Sequence, residues 1–403
     1  MKAWRTALLV FVVFMIAKDL DYVPLPYALR AVSQGLCLAL GGWWLLQHFS
    51  PGIARRYWPV LLYIVAIAAS AAVAEFPGFV LLQGLSLCSV IVFFIAYHER
   101  QWRSGRAHQQ DFVRYIVLTA GLITALSLLF AKLAPTLAYE SMFAGFSGYE
   151  VRFRGLFGKA GAMGAMSGLV LGFAAISVRN KPLKFAAMAS AAACLGLTQS
   201  RSFWVASFFA GLCTLWFYFP KWRTRGVVIA ATLGLTAAAG NALSLSVDTA
   251  WAKRAARLDS VSGLSGRVGI WQEAFAGWRE SPWLGYGFTL GATGLPGHDP
   301  LATKLNVIDT DPMELSRRTL HNGYVQCLLD TGLIGTLLYL LSMVVALWRL
   351  LKFDGDRRYP CALYAIVFLA TANGGESVVY SGSVFPSLCF WASTVFALSL
   401  RKT

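Results

Sequence analysis

The sequence predicts an all-α polytopic membrane protein, with about 12 transmembrane helices and one large helical loop on the outer side of the membrane. Its 403 residues are 57% hydrophobic and only 13% charged. A water-soluble core cannot bury so large a share of apolar side chains. A helix needs about 20 apolar residues to cross a bilayer, and runs of about that length recur along the chain.

Hydropathy places the individual spans and divides the chain into three parts. The first run follows Lys2 and Arg5 without a small-residue cleavage site, so we expect a retained helix, not a signal peptide. The three parts are a bundle of spans 1 to 9 (1–246), a loop long enough to fold (247–322) and a bundle of spans 10 to 12 (323–403). The predicted spans are 6–19, 26–47, 58–74, 77–97, 113–133, 160–178, 184–199, 203–219, 226–246, 323–348, 359–376 and 383–400.

The basic residues predict which side of the membrane each connection faces. Lys and Arg outnumber acidic residues in every second connection, and the positive-inside rule assigns those connections and both termini to the cytoplasm. This orientation places the whole formal net charge of +16 on the cytoplasmic face. The excess is therefore a topological signal and does not indicate nucleic-acid binding. The seven cysteines fall inside apolar runs, which indicates neither a disulfide framework nor a thiolate metal site.

Basic residues on the outer face are then the unusual ones. Arg201 lies in a tight turn between two spans, and the turn is too short to lift its guanidinium far into water. Snorkelling at the span end is the alternative interpretation. Several guanidinium groups together match the oxygens of a dianion, so the expected ligand is a lipid phosphate or pyrophosphate. Arg152, Arg154 and Arg267, on the same face, are available to converge with Arg201.

A histidine and an asparagine stand where span ten enters the membrane. His321 and His298 are the two imidazoles predicted on the outer face. With an ordinary pKa near 6.5, an imidazole is suited to accept a proton from a sugar hydroxyl at neutral pH. The alternative is a polar residue at the interface without a chemical role. Asn322 either orients a substrate hydroxyl or caps the helix that follows.

Acidic residues offer a rival, metal-based chemistry. Two Asp-x-Asp pairs on the outer face could hold a divalent cation, although Asp354 and Asp356 show that such pairs arise by chance. Asp330, inside span ten, is expected to pair with an arginine or a neighbouring helix. No Walker loop, dinucleotide fingerprint or nucleophile elbow is present, so we expect no cofactor and an already activated donor. The outer pairs are Asp19 with Asp21 and Asp309 with Asp311.

The long loop contains one predicted helix, 266–281. Apolar residues recur at Trp271, Phe275 and Trp278, which is a helical spacing. We expect the loop to pack over the bundle as a small helical cap. Its tryptophans either anchor the loop at the membrane interface or stack on sugars.

Four segments, taken in order and spacing, resemble the O-antigen ligase and polymerase superfamily of polytopic membrane glycosyltransferases. The resemblance extends over most of the chain and includes the large loop between spans nine and ten. Where the family commonly has Pro-Asn, this chain has Lys159 and Ala160. The segments are RFRGLFGKAGAMG (152–164), TQSRSFW (198–204), SGRVGIWQEAFAGWRESPWLGYGF (265–288) and HNGYVQCLLDTGLIG (321–335).

The resemblance implies a GT-C-like fold in the bacterial inner membrane and a metal-independent, inverting glycosyl transfer. Polysaccharide would pass from undecaprenyl pyrophosphate to lipid A–core oligosaccharide at the periplasmic face. It implies that His321 is the general base and that Arg267 stabilises the departing charge. Rival functions are an O-antigen polymerase, a protein O-oligosaccharyltransferase, whose family members are usually longer, and a transporter, which would show internal repeats and charges near the bilayer midplane. The remaining residues implied to bind the donor or acceptor are Arg201, Arg154, Arg152, Lys159 and Asn322.

Overall fold

The computed structural model is helical except for one β-hairpin, within the residues that it describes. Among the described residues, five helices are long and apolar enough to cross a membrane, and three shorter apolar helices accompany them. The predicted fold class, an all-α polytopic membrane protein, is confirmed. The described residues are 2–17, 19–20, 27–103, 110–143, 149–219, 261–295, 320–353, 359–379 and 385–401.

The helices follow the predicted spans closely, because the width of the bilayer sets the length of an apolar run. Eleven of the twelve predicted spans coincide with helices, and the ninth, 226–246, lies outside the described residues. The helices are α1 (Lys2–Ala17), α2 (Tyr27–His48), α3 (Pro51–Ser70), α4 (Pro77–Arg103), α5 (Gln110–Leu133), α6 (Pro135–Ala138), α7 (Ala160–Ser177), α8 (Lys181–Leu197), α9 (Arg201–Tyr218), α10 (Val261–Glu280), α11 (Gly323–Phe353), α12 (Pro360–Asn373) and α13 (Phe385–Ser399).

Ion pairs gather the start of α1 and the end of α13 at one end of the bundle, which we call the terminal end. Arg5 at the start of α1 pairs with Asp111 at 2.8 Å. Near the end of α4, the buried carboxylate of Glu99 pairs with Arg56 at 2.8 Å and with Arg401, just beyond α13, at 2.7 Å. Both chain termini therefore lie at the same end, as the predicted topology requires.

A short hairpin lies at the opposite end, which we call the loop end. Strand β1 (Tyr139–Phe143) pairs antiparallel with β2 (Tyr149–Phe153). The sequence analysis did not predict it. The chain leaves β2 through Arg154, whose backbone N–H donates to Ala138 O at 3.0 Å, and the Glu140 carboxylate accepts from the first backbone N–H of α7 at 3.1 Å. These bonds fix the basic segment 152–159 between β2 and α7.

Helix α11 is broken at Gly332, so the predicted span 323–348 is not one continuous helix. Gly332 has φ 65° and ψ −168°, a conformation that glycine adopts almost alone. Backbone groups exposed by a break within the membrane must find partners. The loop segment 282–287 supplies them. The four bonds are Tyr286 N–H to Leu329 O (3.0 Å), Gly287 N–H to Asp330 O (2.8 Å), Leu333 N–H to Pro282 O (2.8 Å) and Ile334 N–H to Trp283 O (3.3 Å).

Helix α10 confirms the helix predicted for 266–281 and packs against the first half of α11. Its buried contact is formed by Ala274, together with Leu320 and Leu329, and Trp278 packs beside them. Phe275, predicted on the apolar face, is instead 42% exposed. On this side α10 also lies close to the loop segment that follows it. A methyl group at Gly277 would overlap the carbonyl oxygen of Gly294, so a large ring has no room there.

We predict that Gly332→Ala destabilises the protein. The added methyl would overlap the Trp283 carbonyl, and an alanine with this φ and ψ costs about 1–3 kcal/mol before any overlap. Thermal unfolding in detergent should show a clear loss of stability. The control is Gly269→Ala in α10, where a methyl meets open space and should be neutral or slightly stabilising. Equal unfolding temperatures for the two variants would contradict the described break.

Candidate functional site

His321 lies at the loop end, directly before α11, as predicted. Its side chain is 41% exposed, and its Nδ1 lies 3.2 Å from Glu376 Oε2. Its φ is 53°, in the left-handed region that few non-glycine residues adopt. Next to it, Asn322 Oδ1 accepts the backbone N–H groups of Tyr324 (3.0 Å) and Val325 (3.2 Å), as the capping alternative predicted.

Arg267 reaches the same carboxylate from α10. One of its amino groups donates to Gly375 O at 3.0 Å, and the other lies 3.4 Å from Glu376 Oε1. One carboxylate therefore joins a guanidinium and an imidazole that come from opposite ends of the long loop. We call Arg267, His321 and Glu376 the Glu376 cluster.

The turn that carries Glu376 also touches the start of α9. A methyl group at Gly375 would overlap the hydroxyl oxygen of Ser202. Arg201, the first residue of α9, precedes Ser202 and is exposed. The backbone of Arg201 therefore lies beside the Glu376 cluster.

The hairpin brings the other basic residues to the loop end by different routes. Arg152 Nε donates to Thr198 O at 3.3 Å, which ties the hairpin to the turn before Arg201. Arg154 Nε donates to Leu137 O at 3.1 Å, toward the base of the hairpin. Lys159 stands at the N-cap position of α7 with an exposed side chain that makes no capping bond. The contact to Thr198 thus links Arg152 to the turn that precedes Arg201.

The acidic residues singled out from the sequence accept hydrogen bonds in the structure or lie outside the described residues. Asp330 is fully buried and accepts hydrogen bonds from the backbone N–H groups of Thr289 (3.0 Å) and Gly291, and from Gln326 Nε2 (2.9 Å). It therefore docks the long loop on α11. Asp19 Oδ2 accepts the backbone N–H of Phe385 at 3.1 Å, at the start of α13. Outside the described residues lie Asp21, Asp309 and Asp311, together with His298.

The loop aromatic residues use their polar atoms to shape the loop. The indole N–H of Trp271 donates to Leu320 O at 2.8 Å, and that of Trp278 donates to Pro282 O at 3.0 Å. The hydroxyl of Tyr286 donates to Gly277 O at 2.9 Å. Burial, with a further contribution from nearby Glu280, raises the pKa of Tyr286, so this hydroxyl stays a donor. Trp283 is 62% exposed and keeps both predicted alternatives, interface anchoring and sugar stacking.

Glu376 was missed by the sequence analysis. It is the only acidic residue in ANGGESVV (372–379), at the end of the predicted span 359–376 on the face where the arginines lie. That position was a usable signal, since a lone carboxylate at a span end needs a partner as much as a lone arginine does.

The Glu376 cluster combines groups suited to proton transfer and to anion binding. A carboxylate at Nδ1 favours the tautomer in which Nδ1 carries the proton and Nε2 has a free electron pair. The second carboxylate oxygen faces the Arg267 guanidinium. The cluster thus presents a candidate base, oriented by a carboxylate, next to cationic side chains held by backbone contacts.

A family model described as O-antigen ligase matches residues 185–340 of the chain. The match confirms the resemblance predicted from the sequence. It includes Arg201, Arg267 and His321, whereas Glu376 and the hairpin lie outside it. No curated protein matches the chain.

Proposed function

We propose that this chain belongs to the O-antigen ligase and polymerase superfamily and is an O-antigen ligase, in line with the family match over residues 185–340. It would transfer polysaccharide from undecaprenyl pyrophosphate to lipid A–core oligosaccharide at the periplasmic face of the bacterial inner membrane. One observation carries the proposal: Arg267 and His321 converge on Glu376, beside the helix that begins with Arg201. The family match supports a membrane glycosyltransferase in general, and this geometry supports His321 as its general base.

In this proposal His321 is the general base. Its Nε2 accepts the proton of an acceptor sugar hydroxyl while the hydroxyl oxygen forms a bond to the anomeric carbon of the donor. The bond from that carbon to the pyrophosphate oxygen breaks on the opposite side, so the transfer inverts configuration. Glu376 is a positioning residue, which holds Nδ1 and stabilises the imidazolium that forms.

The basic residues would bind the donor and stabilise its departing charge. Arg267 is held by Gly375 O and Glu376, so its guanidinium is oriented before substrate arrives. Fixed cations act most strongly where water is scarce. Arg201 adds a guanidinium at a helix N-terminus, where the backbone dipole also favours an anion. Arg152 would support this turn, and Arg154 and Lys159 are further candidates from the hairpin.

The remaining predictions fit around this chemistry. Asn322 uses its oxygen to cap α11, so a substrate hydroxyl would meet its amide N–H group. The cationic side chains substitute for a metal ion, and we propose a metal-independent reaction. The three-part organisation, with the loop 247–322 between two bundles, is also part of the proposal. An O-antigen polymerase would use the same groups with a second lipid-linked glycan as acceptor.

The test is transfer by the purified protein in the presence of EDTA. Lipid-linked glycan is supplied either with rough lipopolysaccharide, which lacks the polysaccharide, or with more carrier-linked glycan alone. A ligase should form product with rough lipopolysaccharide, and His321→Ala should lower the rate by on the order of 10²–10⁴-fold. The control is His48→Ala at the terminal end, where the ring stacks on Trp44 at 4.5 Å.

Four outcomes would contradict this assignment. Longer carrier-linked chains in place of modified lipopolysaccharide would establish a polymerase. A requirement for added Mg²⁺ would contradict the metal-independent reaction. Full activity of His321→Ala would remove the proposed base, and continued movement of lipid-linked glycan without any transfer would indicate a transporter.

We predict that Glu376→Gln lowers kcat by on the order of 10–10²-fold, because the amide cannot stabilise the imidazolium as a carboxylate does. The variant keeps the size of the side chain, so the protein should remain folded. Glu273→Gln on the exposed side of α10 is the matched control and should keep its activity. Equal kcat values for the two variants, measured by transfer to rough lipopolysaccharide, would show that Glu376 has no part in the reaction.

We predict that Arg201→Ala chiefly raises the KM for lipid-linked donor. A hydrogen bond to a charged group contributes about 1.5–3 kcal/mol, which corresponds to roughly tenfold to hundredfold in KM. Arg279→Ala, at the exposed C-terminal end of α10, provides a control with the same loss of charge. If both variants raised the KM equally, the effect would come from general charge and not from a binding site.

A further inference from the structure

Both backbone groups of Leu320, the residue before the proposed base, are held by side chains. Leu320 O accepts the Trp271 indole N–H at 2.8 Å, and Leu320 N–H donates to Gln326 Oε1 at 3.1 Å. Leu320 itself is 3% exposed. This peptide segment is therefore fixed from two sides, by α10 and by α11.

The contact to Gln326 continues into the long loop. Gln326 Nε2 donates to Asp330 Oδ1 at 2.9 Å, and the same carboxylate accepts the backbone N–H groups of Thr289 and Gly291. A carboxylate can only accept hydrogen bonds, so Asp330 orients the side-chain amide of Gln326. The amide N–H group faces Asp330, and the amide oxygen faces Leu320. Gln326 and Asp330 are both buried, so water does not compete easily for these bonds.

These bonds bear directly on the backbone of His321. The orientation of the peptide group between Leu320 and His321 follows from the direction of Leu320 O, and that direction determines φ of His321. A left-handed φ in a residue with a side chain persists only where the surroundings hold it. On the other side, Asn322 O accepts the backbone N–H of Gln326 at 2.9 Å, which fixes the start of α11.

We propose that Trp271, Gln326 and Asp330 are positioning residues, which lock Leu320 and thereby hold the His321 ring at Glu376. The inference rests on the proposed function, because the ring they position is the proposed base. None of the three has to touch substrate. They connect the docked loop, through Thr289 and Gly291, to the place where the proton is accepted.

The test compares Trp271→Phe and Gln326→Leu with Trp278→Phe. Trp271→Phe removes the indole N–H group that holds Leu320, together with part of the ring system, and Gln326→Leu removes the contact from the other side. Trp278→Phe loses the same kind of bond from the same helix, but its acceptor is Pro282 O. Trp271→Phe and Gln326→Leu, which we call the release variants, should each lower kcat at least tenfold and leave the KM for the donor within twofold of wild type. Trp278→Phe should keep both values.

The rate at which diethyl pyrocarbonate labels His321 reports the position of the ring and does not depend on glycan transfer. The labelling rate, followed by peptide mass spectrometry on the full-length protein in detergent, should rise at least threefold in both release variants, because Nδ1 is no longer held at Glu376. Kcat and labelling rates within twofold of wild type in both variants would overturn the inference.

The two readouts separate this inference from the proposed function. If the wild-type protein transferred glycan to neither acceptor, the proposed function would fail, and the labelling rates would still decide whether the three residues position His321. Trp271→Phe keeps an aromatic ring in place, so it decides the question if Gln326→Leu does not fold.

Discussion

The arrangement of the loop end depends on the break in α11 at Gly332. Within a membrane, free backbone N–H and C=O groups are costly, so the break persists only because segment 282–287 bonds to both sides of it. This fastens the long loop to the bundle along its middle. Helix α10 then lies on one side of the attachment and His321 on the other, and both reach Glu376. If the loop were attached only at its ends, substrate binding would also have to order Arg267 and His321, which costs conformational entropy.

Two carboxylates at the loop end have different tasks, and burial separates them. Asp330 is fully buried and accepts several hydrogen bonds, and bonds to a charged group contribute about 1.5–3 kcal/mol each. It therefore holds structure. The Glu376 side chain is 20% exposed and its Arg267 contact measures 3.4 Å. Such a partly solvated pair contributes roughly 0–1 kcal/mol, so its value lies in orienting the guanidinium and the imidazole.

Hydropathy predicted the helices well because every segment that crosses the bilayer needs a run of apolar residues, and the basic residues predicted which ends lie together. Two of the three members of the Glu376 cluster were predicted: Arg267 stood out as a basic residue on the outer face, and His321 as an imidazole at the end of a span. Glu376 did not, since a single carboxylate matches no motif. The hairpin was missed because its strands are five residues each, and the break because glycine is common in apolar helices. In α10, the spacing of the apolar residues predicted a helix but not which side of it is buried. The close contact at Gly277 determines that side.

The two ends of the bundle use the same chemistry, and solvent access distinguishes a clamp from a site. At the terminal end, the Glu99 side chain is 1% exposed and is enclosed by Arg56, Arg401 and the Tyr57 hydroxyl. That cluster satisfies its carboxylate and leaves no approach to it. At the loop end, the His321 side chain is 41% exposed although its Nδ1 is engaged. A ring held on one nitrogen and open on the other can exchange a proton with a substrate, whereas a closed ion-pair cluster can only join helices.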